Sequence, residues 1–107
     1  MTTAGQYLVQ LLLPVRDPDG QAFPRLHYDA LAHELTDRFG GVTAYTRAPA
    51  SGLWEEPSGD RVRDDVVVYE VMAEDLDTTW WADLRKRLER TFKQDELVIC
   101  SHAIRRL

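Results

Sequence analysis

The sequence predicts an α+β fold: a four-stranded antiparallel sheet with two helices on one face, in the order β-α-β-β-α-β. Two observations carry that expectation. The first is a repeated stripe. Tyr28, Leu31, Leu35 and Phe39 stand at offsets 0, 3, 7 and 11, and Trp81, Leu84, Leu88 and Phe92 stand at the same offsets. An α-helix turns every ~3.6 residues, so each set falls on one side of a helix, where it can pack on a sheet. The second is that short apolar, β-prone runs flank both stripes. Together they give the split-βαβ, ferredoxin-like arrangement.

The first strand is expected over residues 6–13. Tyr7, Val9, Leu11 and Leu13 form an apolar face, and Leu8, Gln10 and Leu12 on the other face are nearly as apolar. A strand with one face in water alternates cleanly, and this one does not. Residues 14–20 carry Asp-Pro and Asp-Gly in succession, which is turn chemistry. Helix one follows Pro24 and runs to about Phe39, where Gly40 and Gly41 stop it. The second strand spans about 42–47, and Pro49 interrupts it as an edge strand or bulge allows. Pro57 and Gly59 mark the tight turn of a hairpin, 53–63, projecting beyond the sheet. The third strand, about 65–72, is valine-rich and has central-strand character. Residues 75–79 supply N-cap candidates for helix two, about 80–93, and the last strand spans about 97–104.

Composition narrows the function classes. The 107 residues have the length of one domain, 1–107, with 44% hydrophobic and 29% charged residues, both ordinary for a globular chain. The single cysteine, Cys100, leaves no internal disulfide and no Cys-x-x-Cys pair. No basic stretch followed by an apolar core opens the chain, and its longest apolar run, 11–15, is far short of the ~20 residues that span a bilayer. A cytoplasmic protein with no membrane partner is expected. A formal charge of −5 speaks against phosphate-backbone binding, so no nucleic-acid partner is expected. RNA-binding domains of this topology stack bases on strand aromatics, and strand three offers only Tyr69. Acylphosphatases of this topology need an asparagine, which this chain lacks entirely. No cofactor motif and no metal-ligand spacing is present: His27 and His33, six apart, fall on different helix faces.

The segment 52–64, with Trp54, Pro57 and Gly59 ahead of the valine-rich strand, resembles the central hairpin of a family of small, uncharacterised bacterial ferredoxin-like proteins. Residues 92–98 are similar to that family's closing segment. The resemblance covers about the C-terminal two-thirds and implies the fold; it carries no catalytic residues. The architecture is also similar to dimeric α/β-barrel proteins, in which two sheets pack face to face.

Carrying the strand alternation across the sheet gives the candidate site. With Tyr7, Val9, Leu11 and Leu13 toward the helices, Leu8, Gln10 and Leu12 fall on the open side, with Val66, Val68, Glu70 and Met72 of strand three. Strand four then adds either Cys100 and His102 or Ile99 and Ser101, and the polar histidine favours the first pair. Gln10, Glu70 and His102 are expected to gather as a polar cluster on an otherwise apolar face. One use for it is catalysis, with His102 as general base oriented by Glu70. The other is a polar island in an interface, or a solvated group. Leu8, Leu12, Val66, Val68 and Met72 are expected to bury against a second copy as a homodimer, because a monomer rarely exposes a large apolar patch. Val68→Asp is expected to split that dimer without unfolding the chain. The hairpin 53–63 is the competing cover for the patch, and Trp54 on it is a candidate partner anchor.

Trp81 fits the helix stripe, so Trp80, about 100° away, is expected to be exposed or to meet a partner, with packing of both Trp80 and Trp54 on loops of their own domain as the equal alternative. The basic residues of helix two are expected to be a solvated face, and Cys100 a buried small hydrophobe. Two function classes remain: a self-associating module that binds a partner or small molecule, and a cofactor-free enzyme of the dimeric α/β-barrel type.

Overall fold

The computed structural model describes residues 6–47 and 66–107, and the expected hairpin 53–63, with Trp54, lies outside them. The elements are β1 (Tyr7–Pro14), α1 (Arg25–Phe39), β2 (Thr43–Arg47), β3 (Val66–Ala73), α2 (Thr78–Thr91) and β4 (Ile99–Ala103). The strands form one antiparallel sheet in the order β2-β3-β1-β4. This is the βαββαβ, ferredoxin-like arrangement, with β1 held between β3 and β4.

Both helices lie on one face because both stripes meet the same set of strand residues. Val9, Leu11 and Leu13 of β1 and Tyr69 and Val71 of β3 pack with Leu31 and Leu35 of α1 and with Trp81, Leu84 and Leu88 of α2. Leu11, Leu13, Leu35, Leu84 and Phe92 are completely buried. Arg87 of α2 joins the helices by donating both Nη atoms to the Glu34 carboxylate of α1, at 2.6 and 3.2 Å. That contact corrects the expectation of a wholly solvated basic face on α2.

Local chemistry sets the element ends. Gly40 closes α1 in the left-handed region, at φ 85°, with its amide on the Thr36 carbonyl. Asp77 caps α2 by accepting from the Trp80 amide at 3.1 Å, which starts that helix at Thr78, two residues ahead of expectation. β4 begins later than expected, because Leu97 is buried in the core and its amide donates to the Glu89 carboxylate at 3.0 Å. In the loop after β1, Asp17 Oδ1 accepts from the amides of Asp19 and Gln21, a turn held by its own side chain.

Two aromatic groups fill the ends of the helix layer. Phe39 stacks on Trp81 at 5.2 Å, and Trp80 meets both edge-on at 5.5 and 4.8 Å, with the Arg38 guanidinium 4.3 Å from its ring centre. Trp80 is therefore half-buried against its own chain, the packing alternative to an exposed or partner-facing ring. At the other end Phe92 receives Phe23, Tyr28 and His27. The Tyr28 hydroxyl donates to the Pro14 carbonyl, and the Tyr69 hydroxyl donates to the Tyr28 carbonyl at 3.1 Å. Burial pushes both phenols above their ordinary range, helped at Tyr69 by the Asp29 carboxylate and at Tyr28 by Tyr69.

Candidate functional site

The helix-free face of the sheet carries the polar residues that the strand alternation singles out. β1 pairs with β3 so that Gln10 faces Glu70, Leu8 faces Met72 and Leu12 faces Val68. β1 pairs with β4 so that Gln10 also faces Cys100, and Leu8 faces His102. β2 adds Thr43 opposite Glu70 and Tyr45 opposite Val68. Cross-strand partners share a face, so all these side chains lie on the side away from the helices.

Hydrogen bonds link them into a row that takes one residue from each strand. Gln10 Nε2 donates to Glu70 Oε2, and it lies 3.4 Å from the Tyr45 hydroxyl. The Tyr45 hydroxyl donates to the same carboxylate oxygen at 2.8 Å. On the other side the Cys100 thiol is 3.9 Å from Gln10 Oε1. Neighbouring strands run ~4.8 Å apart, so the Tyr45 side chain crosses β3 to reach Gln10 on β1. Val68 sits between Tyr45 and Leu12 in the register and is completely buried.

The chemistry of the row centres on Glu70. Both of its hydrogen bonds land on Oε2, and Oε1 accepts none among the described residues. A hollow of about 420 Å³ opens beside it at the α1–β2 end of the sheet, bounded by Leu8, Thr43, Met72, the turn 40–42 and, from the helix side, Phe39 and Val71. Glu70 is the only charged residue of that lining. A half-buried carboxylate with a free oxygen in a mixed polar and apolar frame accepts a hydrogen-bond donor or a cation, since desolvating it without a partner is costly. No group of three or more metal-ligating side chains occurs among the described residues.

Sequence reasoning placed Gln10 and Glu70 together, and the structure joins them. His102 lies on the same face, two residues beyond Cys100 on β4; it is exposed, and among the described residues no hydrogen bond connects it to Glu70. Cys100 takes the position beside Gln10, half-buried rather than buried, and Val98 next to it is 50% exposed. Tyr45 was the omission. Alternation along β2, paired to Glu70 through Thr43, is the signal that finds it. Leu8, Leu12 and Val66 are half-buried and Met72 is 55% exposed, and together they frame the row. Val68 differs: it is fully buried within the single chain, so a charge there enters a desolvated position without any partner, and Val68→Asp is a folding perturbation.

No protein-family model matches the chain. No curated protein matches it. The segment 52–64 that suggested a small bacterial family lies outside the described residues, and no matching family supports that resemblance. Among solved structures the chain is similar to a phage SAM lyase in complex with S-methyl-5'-thioadenosine, at 17% sequence identity and a TM-score of 0.61, covering 92% of this chain and 81% of that one. At that identity the likeness is one of fold.

Proposed function

We propose that this protein is a small-ligand-binding module whose site is the hollow beside Glu70 on the helix-free sheet face. The observation that carries this is the Glu70 carboxylate itself, with Gln10 and Tyr45 on one oxygen and the other turned to no partner among the described residues. Its complement is a compact molecule with an apolar body, to meet Leu8 and Met72, and an N–H donor or positive centre for the carboxylate. The hollow, about 420 Å³, falls in the usual range for small-molecule sites. The compound bound by the phage lyase, a nucleoside thioether with an exocyclic amine, has this character and is the first probe to use.

The same reading gives the face to two copies of the chain. Leu8, Leu12, Val66 and Met72 form an apolar rim that a second copy can bury in a two-fold contact, with ligand between the sheets. Sedimentation at micromolar concentration tests it: a dimer is expected, and a purely monomeric species would remove this part of the reading.

Calorimetric titration with S-methyl-5'-thioadenosine tests the site. Saturable binding is expected, weakened about tenfold or more by Glu70→Gln, which keeps the shape and removes the charge. Absence of binding, or equal binding by the variant, would sink it. The enzymatic alternative, with His102 as base, has one observation in its favour: the neighbour is a lyase on this fold. Glu70 is engaged by Gln10 and Tyr45 rather than by His102, so binding is the function the geometry supports best.

A further inference from the structure

On the opposite side of the sheet, α2 and β4 border a second, smaller hollow of about 240 Å³, open to solvent. Leu76, Trp81 and Ile99 give it an apolar floor, and Thr78, Ser101 and Arg85 supply its polar groups. Arg85 is unusual within this chain. Its Nε is buried and has no hydrogen-bond partner, and no ion pair is formed by its guanidinium among the described residues. The acidic residue one helical turn on, Glu89, is occupied with the Leu97 amide. An arginine nitrogen buried without an acceptor, beside a hollow of molecular size, is a recognition group in search of an anion.

The wall opposite Arg85 adds donors. Among the described residues β4 is an edge strand. The bonds Leu12 N–H to Val98 carbonyl and Ile104 N–H to Gln6 carbonyl turn the even-numbered residues of this strand toward β1. Ser101 therefore presents its backbone N–H and carbonyl to the free edge, and its side chain to the helix side.

We propose that this α2–β4 hollow is a binding site for a small organic carboxylate with an apolar body, held by Arg85. The arginine fork matches a carboxylate through Nε and one Nη side by side, which a neutral ligand cannot exploit. Arg85 is the only charged residue of the lining, so a singly charged anion balances it and a phosphate does not. The volume is below that of sites for drug-sized molecules, which sets the ligand near a single ring with a short acidic arm. This site lies on the other face of the sheet from Glu70, and Cys100 of β4 is the residue that borders both.

The test uses sodium phenylacetate as probe, with phenylacetamide and inorganic phosphate as comparisons, followed by ¹H–¹⁵N correlation spectra of the whole chain. Phenylacetate is expected to shift the Trp81 indole N–H and the Arg85 Nε–H saturably, and to bind at least about tenfold more tightly than phenylacetamide or phosphate. Arg85→Gln is expected to lose the same factor at an unchanged melting temperature. Should Arg85→Gln fail to fold, Arg85→Lys gives the same reading, because it keeps the charge but lacks the planar fork. Equal binding of acid and amide, shifts confined to other residues, no saturation by about 10 mM, or undiminished binding by the folded variants would each overturn the proposal.

Discussion

Leu84→Ala tests the packing that places both faces of the sheet. Leu84 is completely buried on the inner side of α2, within the cluster formed by Val9, Leu11, Leu88 and Trp81. The substitution removes three carbons, which at about 0.8 kcal/mol for each buried methylene is about 2.4 kcal/mol of transfer energy. The neighbours belong to two helices and a sheet and collapse only in part, so a cavity term adds to this and the expected total is ~3–4 kcal/mol. That is a large share of the ~5–15 kcal/mol that holds a domain of this kind folded. Urea melts followed by far-UV circular dichroism read the loss as a lower midpoint at unchanged slope. Leu26→Ala on α1 is the control: Leu26 is 72% exposed, and its truncation should stay within about 0.5 kcal/mol. A loss below about 1 kcal/mol at Leu84 would refute the assignment of the α2 stripe to the core.

Other consequences are as direct. Asp77→Ala removes the acceptor for the Trp80 amide and the 3.6 Å ion pair with Arg38, and should cost about 1 kcal/mol in the same melts; no change would mean the cap is not formed. Val68→Asp should destabilise the monomeric fold by about 3 kcal/mol or more, because Val68 is wholly buried; a variant that merely dissociates would contradict that burial. Tyr28 and Tyr69 have phenols raised above their unfolded value of about 10. The folded state then holds protons that the unfolded chain has released, so their contribution is complete below about pH 10 and is lost as pH rises through the raised folded values. Phenolate absorbance should show Tyr28 and Tyr69 titrating above pH 10, with Tyr69→Phe removing late signal; loss of signal at pH 10 rather than above it in that variant would contradict this.

The fold was legible because its helices and inner strand faces obey simple periods. The offsets shared by the 28–39 and 81–92 segments fix one stripe per helix, and Val9, Leu11 and Leu13 fix the inward face of β1. The pairing of Gln10 with Glu70 followed from the same alternation, since a ferredoxin-like order leaves β1 beside β3. What escaped were contacts set by long side chains rather than by period. Tyr45 reaches across a whole strand to Glu70 and Gln10. Arg38 covers one side of Trp80, so a tryptophan off the helix stripe is half-buried against Phe39 and Trp81. Glu89 turns back to the Leu97 amide, which shortens β4 and leaves Arg85 without its helical-turn partner. Position on a helix or strand assigns a face; it does not say how far arginine, glutamate or tyrosine will travel from it.

The central claim, that the helix-free face beside Glu70 receives a small ligand, is tested most directly by ¹H–¹⁵N correlation spectra during titration with S-methyl-5'-thioadenosine. Saturable shifts are expected at Leu8, Gln10, Thr43, Glu70 and Met72, around the hollow, and at the Gln10 side-chain amide that shares the Glu70 carboxylate. The amides of α2 that face away from this site should stay in place. Shifts confined to the helix side, or a spectrum unchanged at millimolar ligand, would contradict the claim.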